Sequence, residues 1–263
     1  MINAVKQRLK TRLNGQQRSD LRKLLTRLLP PFLAGDLNLL AKLTATDKGI
    51  THRYTQHYMT HFQRFRRRKI KMLEIGVGGY ESPTEGGESL RMWKKYFPHG
   101  EIHAVDIHDK SALQEPRIQI FKGSQVDRAF MEKVADDHGP FDIIIDDGSH
   151  VNGHVIETFK IMFPKLKDGG VYVIEDIQTA YWDDFGGDSK NLQNPGTSMN
   201  FAKSLTDCVN YQEIIGENYQ ESYYDRHIVS IHFYHNLVFI HKDLNDEPSN
   251  IVHNHTKPVM RHD

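Results

Sequence analysis

The 263 residues are enough for one large domain with additions or for two small ones. Apolar residues make up 38% and charged residues 26% of the chain, and the formal net charge of +0 provides no overall field that would attract nucleic acid. The single cysteine, Cys208, excludes an internal disulfide, and no apolar run is long enough to span a bilayer, so we expect a cytoplasmic protein.

The first 30 residues are strongly basic, with eight lysines and arginines against one aspartate. Leucines recur among these cations at roughly helical spacing, which predicts a basic amphipathic helix. Such a helix can lie on an anionic membrane surface, but a docking or oligomer-forming helix with a solvated basic face is the favoured interpretation. Pro30 and Pro31 end it, and "LAGDLNLLAKL" predicts a second helix. Residues 1–45 are therefore expected to form a helical extension.

From residue 70 onwards, short apolar runs alternate with amphipathic stretches. The predicted strands are 70–76, 101–107, 117–123, 141–146 and 169–176, and the predicted helices are 89–97, 128–137 and 154–166. This alternation predicts a parallel sheet with right-handed crossovers.

The alternation of predicted strands and helices stops after the last of these strands. The segment 182–198 is polar and longer than a simple connector, as is typical of a loop that covers a site. Residues 227–242 predict two antiparallel strands joined by a tight turn near His235–Asn236. We expect the catalytic or binding domain to span 46–242, followed by a polar tail over 243–263.

The first predicted strand ends in "EIGVGGY", a glycine-rich turn preceded by the acid Glu74. A dinucleotide site would have G-x-G-x-x-G at the start of a helix, whereas here the next helix begins only near Ser89. A carboxylate is unfavourable beside pyrophosphate but favourable beside the sulfonium and ammonium groups of S-adenosylmethionine. The pattern therefore favours that cofactor, with an ordinary glycine turn in a nucleotide-free protein as the alternative.

These residues, the "VDI" after the second strand and the strand pattern resemble class I S-adenosylmethionine-dependent methyltransferases over residues 70 to 242. The resemblance implies a Rossmann-like, seven-stranded and mostly parallel α/β sheet whose last strand is antiparallel. It also implies that Asp106 holds the ribose of the cofactor. The other implied cofactor contacts are Glu74, Gly76, Gly78 and Ser89 at the methionine end, and Ser124 and Gln125 beside adenine.

Two neighbouring strands of such a sheet end in acids, at "DDGSH" (146–150) and at "IED" (174–176). Because adjacent strands lie about 4.8 Å apart, their carboxylates converge at one rim of the sheet. Unpaired, they would repel one another and resist burial. A divalent cation resolves this conflict, and an all-oxygen ligand set selects Mg²⁺ first, with Mn²⁺ or Ca²⁺ as alternatives.

"DDGSH", "VIEDIQTAYW" and "TDKGITHRYTQHY" (46–58) also resemble the metal-dependent sugar O-methyltransferases of macrolide and related glycoside biosynthesis. By motif position the resemblance implies that Asp147, Glu175 and Asp176 bind the metal and that His150 is the general base. Asp146 is left to brace the loop or the cofactor. The implied acceptor is a sugar hydroxyl on a small-molecule glycoside, a glycolipid or a polysaccharide.

Several alternatives remain open at this level. Asp147 and His150 could cap the helix that follows them, and His154 is better explained as a helix-start histidine than as a metal ligand. Tyr181 and Trp182 could form an aromatic platform for the acceptor or could simply pack. Among functions, the alternatives are a catechol or other diol methyltransferase, a nicotinamide-dependent oxidoreductase, and a binding module without catalysis.

Overall fold

The structure, a computed structural model, describes residues 33–216 and 218–256, together with residues 14, 17, 20, 21 and 24. The basic helix predicted within residues 1–30 lies almost entirely outside the described residues. The chain divides into two compact units: one contains the described residues up to Lys69 together with Gly86–Gly100, and the other contains Ile70–Glu85 together with the described residues from Glu101 onwards.

The first unit is helical. Its helices are α1 (Leu37–Thr44), α2 (Asp47–Ile50), α3 (Thr55–Phe62) and α4 (Glu88–Tyr96). The second predicted helix is confirmed as α1, which begins at Leu37 because the Asp36 carboxylate accepts hydrogen bonds from the backbone N–H groups of Asn38 and Leu39. Aromatic side chains form the core of this unit, with edge-on contacts from Trp93 to Tyr58 at 4.9 Å and to Phe62 at 5.7 Å between ring centroids.

The second unit, as far as it is described, contains a seven-stranded sheet in the order β3-β2-β1-β4-β5-β7-β6. The strands are β1 (Lys71–Ile75), β2 (Glu101–Asp106), β3 (Ile118–Lys122), β4 (Phe141–Asp146), β5 (Leu166–Glu175), β6 (Ile228–Tyr234) and β7 (Leu237–Lys242). Strands β1 to β5 run parallel, and β7 runs antiparallel to both β5 and β6. The predicted fold class is confirmed.

Apolar runs become central strands because both faces of the sheet are covered. Every residue of β4 is buried, which explains its run of three isoleucines without alternation. The predicted hairpin is also confirmed: His235 and Asn236 join β6 to β7, and Asn236 adopts the left-handed conformation (φ 62°) that tight hairpin turns require.

The helices that cover the sheet are α5 (Arg128–His138) and α6 (Asn152–Met162), and the shorter α7 (Ser198–Ser204) and α8 (Thr206–Val209) follow β5. Helix α6 ends four residues earlier than predicted. Pro164 cannot donate a backbone hydrogen bond, so the chain forms a 3₁₀ turn over Phe163–Lys165 and enters β5 at Leu166, three residues earlier than predicted. Cys208 is buried in α8 as expected, and burial raises the pKa of its thiol to about 12.

None of the helices among the described residues combines the length and the apolar character that crossing a bilayer requires.

One buried histidine makes the stability of the sheet depend on pH. His103 on β2 is buried and stacks on Phe121 with ring centroids 6.2 Å apart. Burial, and to a lesser extent the neighbouring His138, lowers the pKa of His103 below its usual value of 6.5. The unfolded chain therefore binds a proton below about pH 6.5 that the folded protein resists, and the free energy of unfolding falls as the pH drops below that value.

Replacing His103 with phenylalanine is expected to reduce this acid sensitivity while keeping the stacking on Phe121. One titrating group contributes at most about 1.4 kcal/mol per pH unit to the slope of the unfolding free energy against pH. Urea unfolding between pH 5 and 8 measures that slope. The exposed His99, replaced in the same way, provides the control and should leave the slope unchanged. An unaltered slope in His103→Phe would contradict this account.

Candidate active site

The glycine turn after β1 passes directly beneath the loop that follows β4. Gly76, Gly78 and Gly79 all have positive φ, at 94°, 78° and 74°. A Cβ atom on Gly76 would lie 2.1 Å from the backbone oxygen of Asp147, whereas one on Gly78 would meet no atom within 4 Å. Position 76 therefore requires glycine, both for its backbone conformation and because Asp147 lies so close. The side of the turn at Gly78 is open to a ligand.

Asp106, at the end of β2, braces this turn. Its carboxylate accepts hydrogen bonds from the backbone N–H of Val77 at 2.9 Å and of His108 at 2.8 Å. Each carboxylate oxygen has a second lone pair, so the group can still accept hydrogen bonds from ribose hydroxyls. Glu74 lies on β1 just before the turn and is fully buried, with an exposed fraction of 0%. The cofactor contacts of Glu74, Gly76, Gly78 and Asp106 stay predictions.

Gln125 holds the "DDGSH" loop in place. Its side-chain oxygen accepts the N–H of Ser149 at 2.8 Å, and its amide nitrogen donates to Asp146 at 3.2 Å and to the Thr158 hydroxyl at 2.9 Å. The adjacent Ser124 is half-buried, and its hydroxyl accepts the N–H of Val126 at 3.4 Å. The predicted contacts of Ser124 and Gln125 with adenine are not tested by these hydrogen bonds, which give Gln125 a bracing role in addition.

Asp146 is buried at the end of β4, between Gln125 and the Tyr172 hydroxyl. Burial raises the pKa of Asp146 to about 7, against the opposing effect of its hydrogen bonds to the Gly148 backbone and to Gln125. Burial and the nearby Asp146 raise the pKa of Tyr172 well above its usual value. This environment fits a residue that braces the loop, and the predicted contact of Asp146 with the cofactor stays a prediction.

Acidic residues at the carboxyl ends of β1, β4 and β5 form an acidic rim that consists of Glu74, Asp147, Glu175 and Asp176, and Asp147 lies at its centre. Its donor atoms lie within 4.8 Å of those of Glu74 and Glu175 in one set, and within 4.8 Å of those of His150 and Asp176 in another. The structure therefore brings Asp147 close to both acids from the end of β5, Glu175 and Asp176, and adds Glu74, which was assigned to the cofactor rather than the metal. Carboxylate oxygens with one imidazole fit a hard divalent cation.

Burial makes a cation favourable in the first of these sets. Glu74 and Glu175 are exposed by only 0% and 3%, and a carboxylate oxygen of each lies within 4.8 Å of one of Asp147. Carboxylates so close in a low-dielectric environment repel one another when ionised. A divalent ion, or the positively charged cofactor, would compensate this charge.

His150 lies beside the acids and does not cap the following helix. Its Nε2 atom is 3.9 Å from a carboxylate oxygen of Asp147, and both side chains are 25% exposed. Helix α6 has Val151 at its N-cap and no side-chain capping hydrogen bond, so the helix-capping alternative is wrong for Asp147 and His150. His154 lies within the first turn of α6 and contacts the Ser149 hydroxyl at 2.9 Å, as expected for a helix-start histidine.

Ser89 is the second residue of α4 and is half-buried within the helical unit. Its predicted contact with the methionine end of the cofactor stays a prediction.

The polar segment 182–198 is internally hydrogen-bonded. The carboxylate of Asp188 accepts the backbone N–H groups of Lys190 and Asn191 and the side-chain amide of Asn194, at 2.8–3.0 Å. Tyr181 and Trp182, just before and at its start, are 39% and 51% exposed, so they are available to an acceptor.

Sequence reasoning missed Asn152 and Thr179, two buried polar residues that connect this region to the acidic rim. Asn152 follows "DDGSH" by two positions and Thr179 lies within "VIEDIQTAYW", but neither was given a role. The only signal was their position within six residues of "DDGSH" and "IED".

Comparisons with known proteins agree with this geometry. Residues 73–177 match a family described as a methyltransferase domain. The chain is 48% identical over 214 residues to the mycinamicin VI 2''-O-methyltransferase of Micromonospora griseorubida and 47% identical over 214 residues to the demethylmacrocin O-methyltransferase of Streptomyces fradiae. These matches cover 81% of this chain and 54% of each relative, so the chain spans about half the length of the curated relatives it matches.

Among solved structures, the chain is similar to the MycE methyltransferase of mycinamycin biosynthesis, in complex with Mg and SAH, with a TM-score of 0.79 and 47% identity. That match covers 81% of this chain and 55% of the other. The sheet order, the glycine turn and the matched family together lead to one conclusion. The sheet-containing part of this chain belongs to the class I S-adenosylmethionine-dependent methyltransferases.

Proposed function

We propose that this protein is a Mg²⁺-dependent O-methyltransferase that moves a methyl group from S-adenosylmethionine to a sugar hydroxyl of a glycoside. The observation that carries the proposal is the position of Asp147. Its backbone lies against the glycine turn at Gly76, and its carboxylate lies within 4.8 Å of donor atoms of Glu74 and Glu175, which come from two other strands. The similarity to the mycinamicin and demethylmacrocin enzymes supports the sugar hydroxyl as acceptor.

The cofactor would lie over the open side of the glycine turn. Glu74 provides negative charge for the ammonium or sulfonium group, and Asp106 provides oxygen acceptors for the ribose. Ser89, Ser124 and Gln125 complete the proposed contacts. These residues orient the methyl group, and fixing the reacting atoms in line is the main contribution a protein makes to such a transfer.

Asp147, Glu175 and Asp176 would hold Mg²⁺, with Mn²⁺ as a possible substitute. When bound, the ion supplies positive charge that stabilises the oxyanion developing on the sugar hydroxyl. Glu74 lies close enough to Asp147 to add to the negative charge that attracts the ion. Asp146 is buried behind this rim and braces the loop.

His150 would accept the proton of the acceptor hydroxyl. Its imidazole is partly exposed, as a group that exchanges protons with a substrate must be, and it lies 3.9 Å from Asp147. His150→Ala is expected to lower turnover while Mg²⁺ affinity is retained. Loss of Mg²⁺ binding in this variant would instead identify His150 as a ligand.

The test is methyl transfer from S-adenosylmethionine to a panel of acceptors, with and without a chelator. Rhamnosylated and other deoxysugar glycosides should be methylated, catechols should not, and EDTA should abolish turnover until Mg²⁺ is restored. Methylation of catechol alone would favour the diol alternative, to which the exposed Tyr181 and Trp182 could offer stacking surfaces. Calorimetry with NAD(H) and with S-adenosylhomocysteine distinguishes the oxidoreductase alternative, and cofactor binding without metal or turnover would indicate a binding module.

Three further expectations come from the sequence alone: homo-oligomer formation, peripheral membrane contact through the basic N-terminal segment, and a cytoplasmic location. They are part of the proposal and rest on charge patterning and cysteine content.

A further inference from the structure

A single buried hydroxyl joins the two turns that carry the proposed chemistry. Thr179, exposed by only 3%, lies in the 3₁₀ turn Ile177–Tyr181. Its hydroxyl is 2.8 Å from the backbone oxygen of His150 and 3.2 Å from that of Asp176. A hydroxyl has one proton to donate, so the two carbonyl oxygens share it in a three-centre hydrogen bond. The loop after β4 and the turn after β5 are thereby connected.

Both residues that accept this hydrogen bond have an unusual backbone. His150 has φ 56° and Asp176 has φ 52°, in the left-handed region that residues other than glycine rarely adopt. Such conformations persist only where surrounding contacts hold them, and they cluster at functional sites. The Thr179 hydroxyl contacts the carbonyl groups of both, and the Thr179 backbone N–H also donates to Asp176 at 3.2 Å.

Asn152 in turn fixes Thr179. The Asn152 side chain, exposed by 1%, donates to the backbone oxygens of Thr179 at 3.1 Å and Phe185 at 2.9 Å. Its carbonyl oxygen accepts the backbone N–H and the hydroxyl of Ser198, at 2.7 and 2.8 Å. The backbone N–H of Ser198 can only donate, so the orientation of the Asn152 amide is defined and its hydrogen-bonding capacity is complete. Thr179 is thus anchored to the start of α6 and to both ends of the polar segment.

We propose that Thr179, held by Asn152, is a positioning residue that keeps His150 and Asp176 in the conformations that direct their donor atoms towards Asp147. Those three donor groups lie within 4.8 Å of one another. The proposal rests on the function proposed above, because it concerns how the metal site and the base are held. Without the hydroxyl, both turns can relax away from the left-handed region, and the two side chains separate.

Thr179→Val tests this directly, because valine keeps the branched shape and removes only the hydroxyl. Mn²⁺ affinity, measured by electron paramagnetic resonance in the absence of acceptor, is expected to fall about 10- to 100-fold, as for other residues that orient metal ligands. The kcat should fall by a similar factor, while S-adenosylhomocysteine affinity measured by calorimetry stays within about twofold. Thr179→Ser, which retains the hydroxyl, should restore both the Mn²⁺ affinity and kcat.

A matched control and a metal-independent readout complete the design. Thr44→Val removes a partly buried threonine hydroxyl that donates to the Leu40 backbone oxygen at 3.0 Å in α1, and it should leave Mn²⁺ affinity unchanged. Hydrogen–deuterium exchange of peptides covering 147–151 and 176–180 should accelerate in Thr179→Val and not in Thr179→Ser.

The outcomes separate the two proposals. The role of Thr179 would be overturned if Thr179→Val had the same exchange rates and Mn²⁺ affinity as the unaltered protein. It would also be overturned if Thr179→Ser were as defective as Thr179→Val. An unaltered protein that binds Mn²⁺ but shows no methyl transfer to any glycoside would overturn the proposed function and leave the positioning result to stand on metal affinity and exchange.

Discussion

Asp147→Asn is expected to abolish Mg²⁺-dependent methyl transfer while S-adenosylhomocysteine still binds. Among the described residues, Asp147 is the one shared by the two acidic sets of potential ligands, so its loss affects both sets. Losing several kcal/mol of metal-derived stabilisation corresponds to a fall in turnover of about 10³-fold. Methyl-transfer rates and calorimetry with S-adenosylhomocysteine measure the two parts of this expectation.

The same substitution should also remove the stabilisation of the fold by metal. Asparagine has nearly the same shape as aspartate, so the fold without metal should be retained. The added stability that saturating Mg²⁺ confers by binding the folded state should disappear. The charge-matched control is Asp136→Asn. Asp136 lies on α5 and forms an exposed ion pair with Lys165, and this variant should keep the stabilisation by Mg²⁺. A metal-dependent rise in melting temperature that persists in Asp147→Asn would exclude Asp147 as a ligand.

Gly76→Ala is expected to destabilise the protein more than Gly78→Ala, a substitution in the same proposed cofactor turn. The added methyl would force an alanine to adopt φ 94° and would lie 2.1 Å from the Asp147 carbonyl oxygen. A left-handed conformation and an overpacked contact together cost about 3 to 5 kcal/mol. Because the clash is with backbone, relief requires Asp147 to move, and Mg²⁺ affinity should fall along with stability.

Gly78→Ala is the matched control for that substitution. It has a similar positive φ, at 78°, but its added methyl would point into open space. Only the conformational cost applies, about 1 to 2 kcal/mol. If the cofactor lies over this turn, Gly78→Ala should weaken S-adenosylhomocysteine binding without altering Mg²⁺ affinity. Urea unfolding and calorimetry of both variants measure these differences, and equal destabilisation by the two would refute the contact between Gly76 and the Asp147 loop.

The amino-acid sequence by itself determined the succession of strands and helices in the sheet-containing unit. The three consecutive isoleucines 143–145 leave no solvent-facing side, which predicts a strand covered on both faces. Glycines with an acid before them and acids at two strand ends predicted a cofactor turn and a metal rim, because few side chains provide those charges and conformations. The sequence predicted the end of α6 four residues too late, because residues 163–166 fit the helical pattern. In the structure they form a 3₁₀ turn and the start of β5.

Only the tertiary structure decided which polar groups meet. Glu74 reaches Asp147 because β1 lies beside β4 in the sheet, an adjacency between residues more than 70 positions apart. Gln125, Asn152 and Thr179 act through hydrogen bonds to backbone atoms of distant loops, which no residue pattern encodes. The left-handed conformations of His150 and Asp176 likewise depend on the contacts that hold them, because neither residue type favours that conformation strongly enough to adopt it alone.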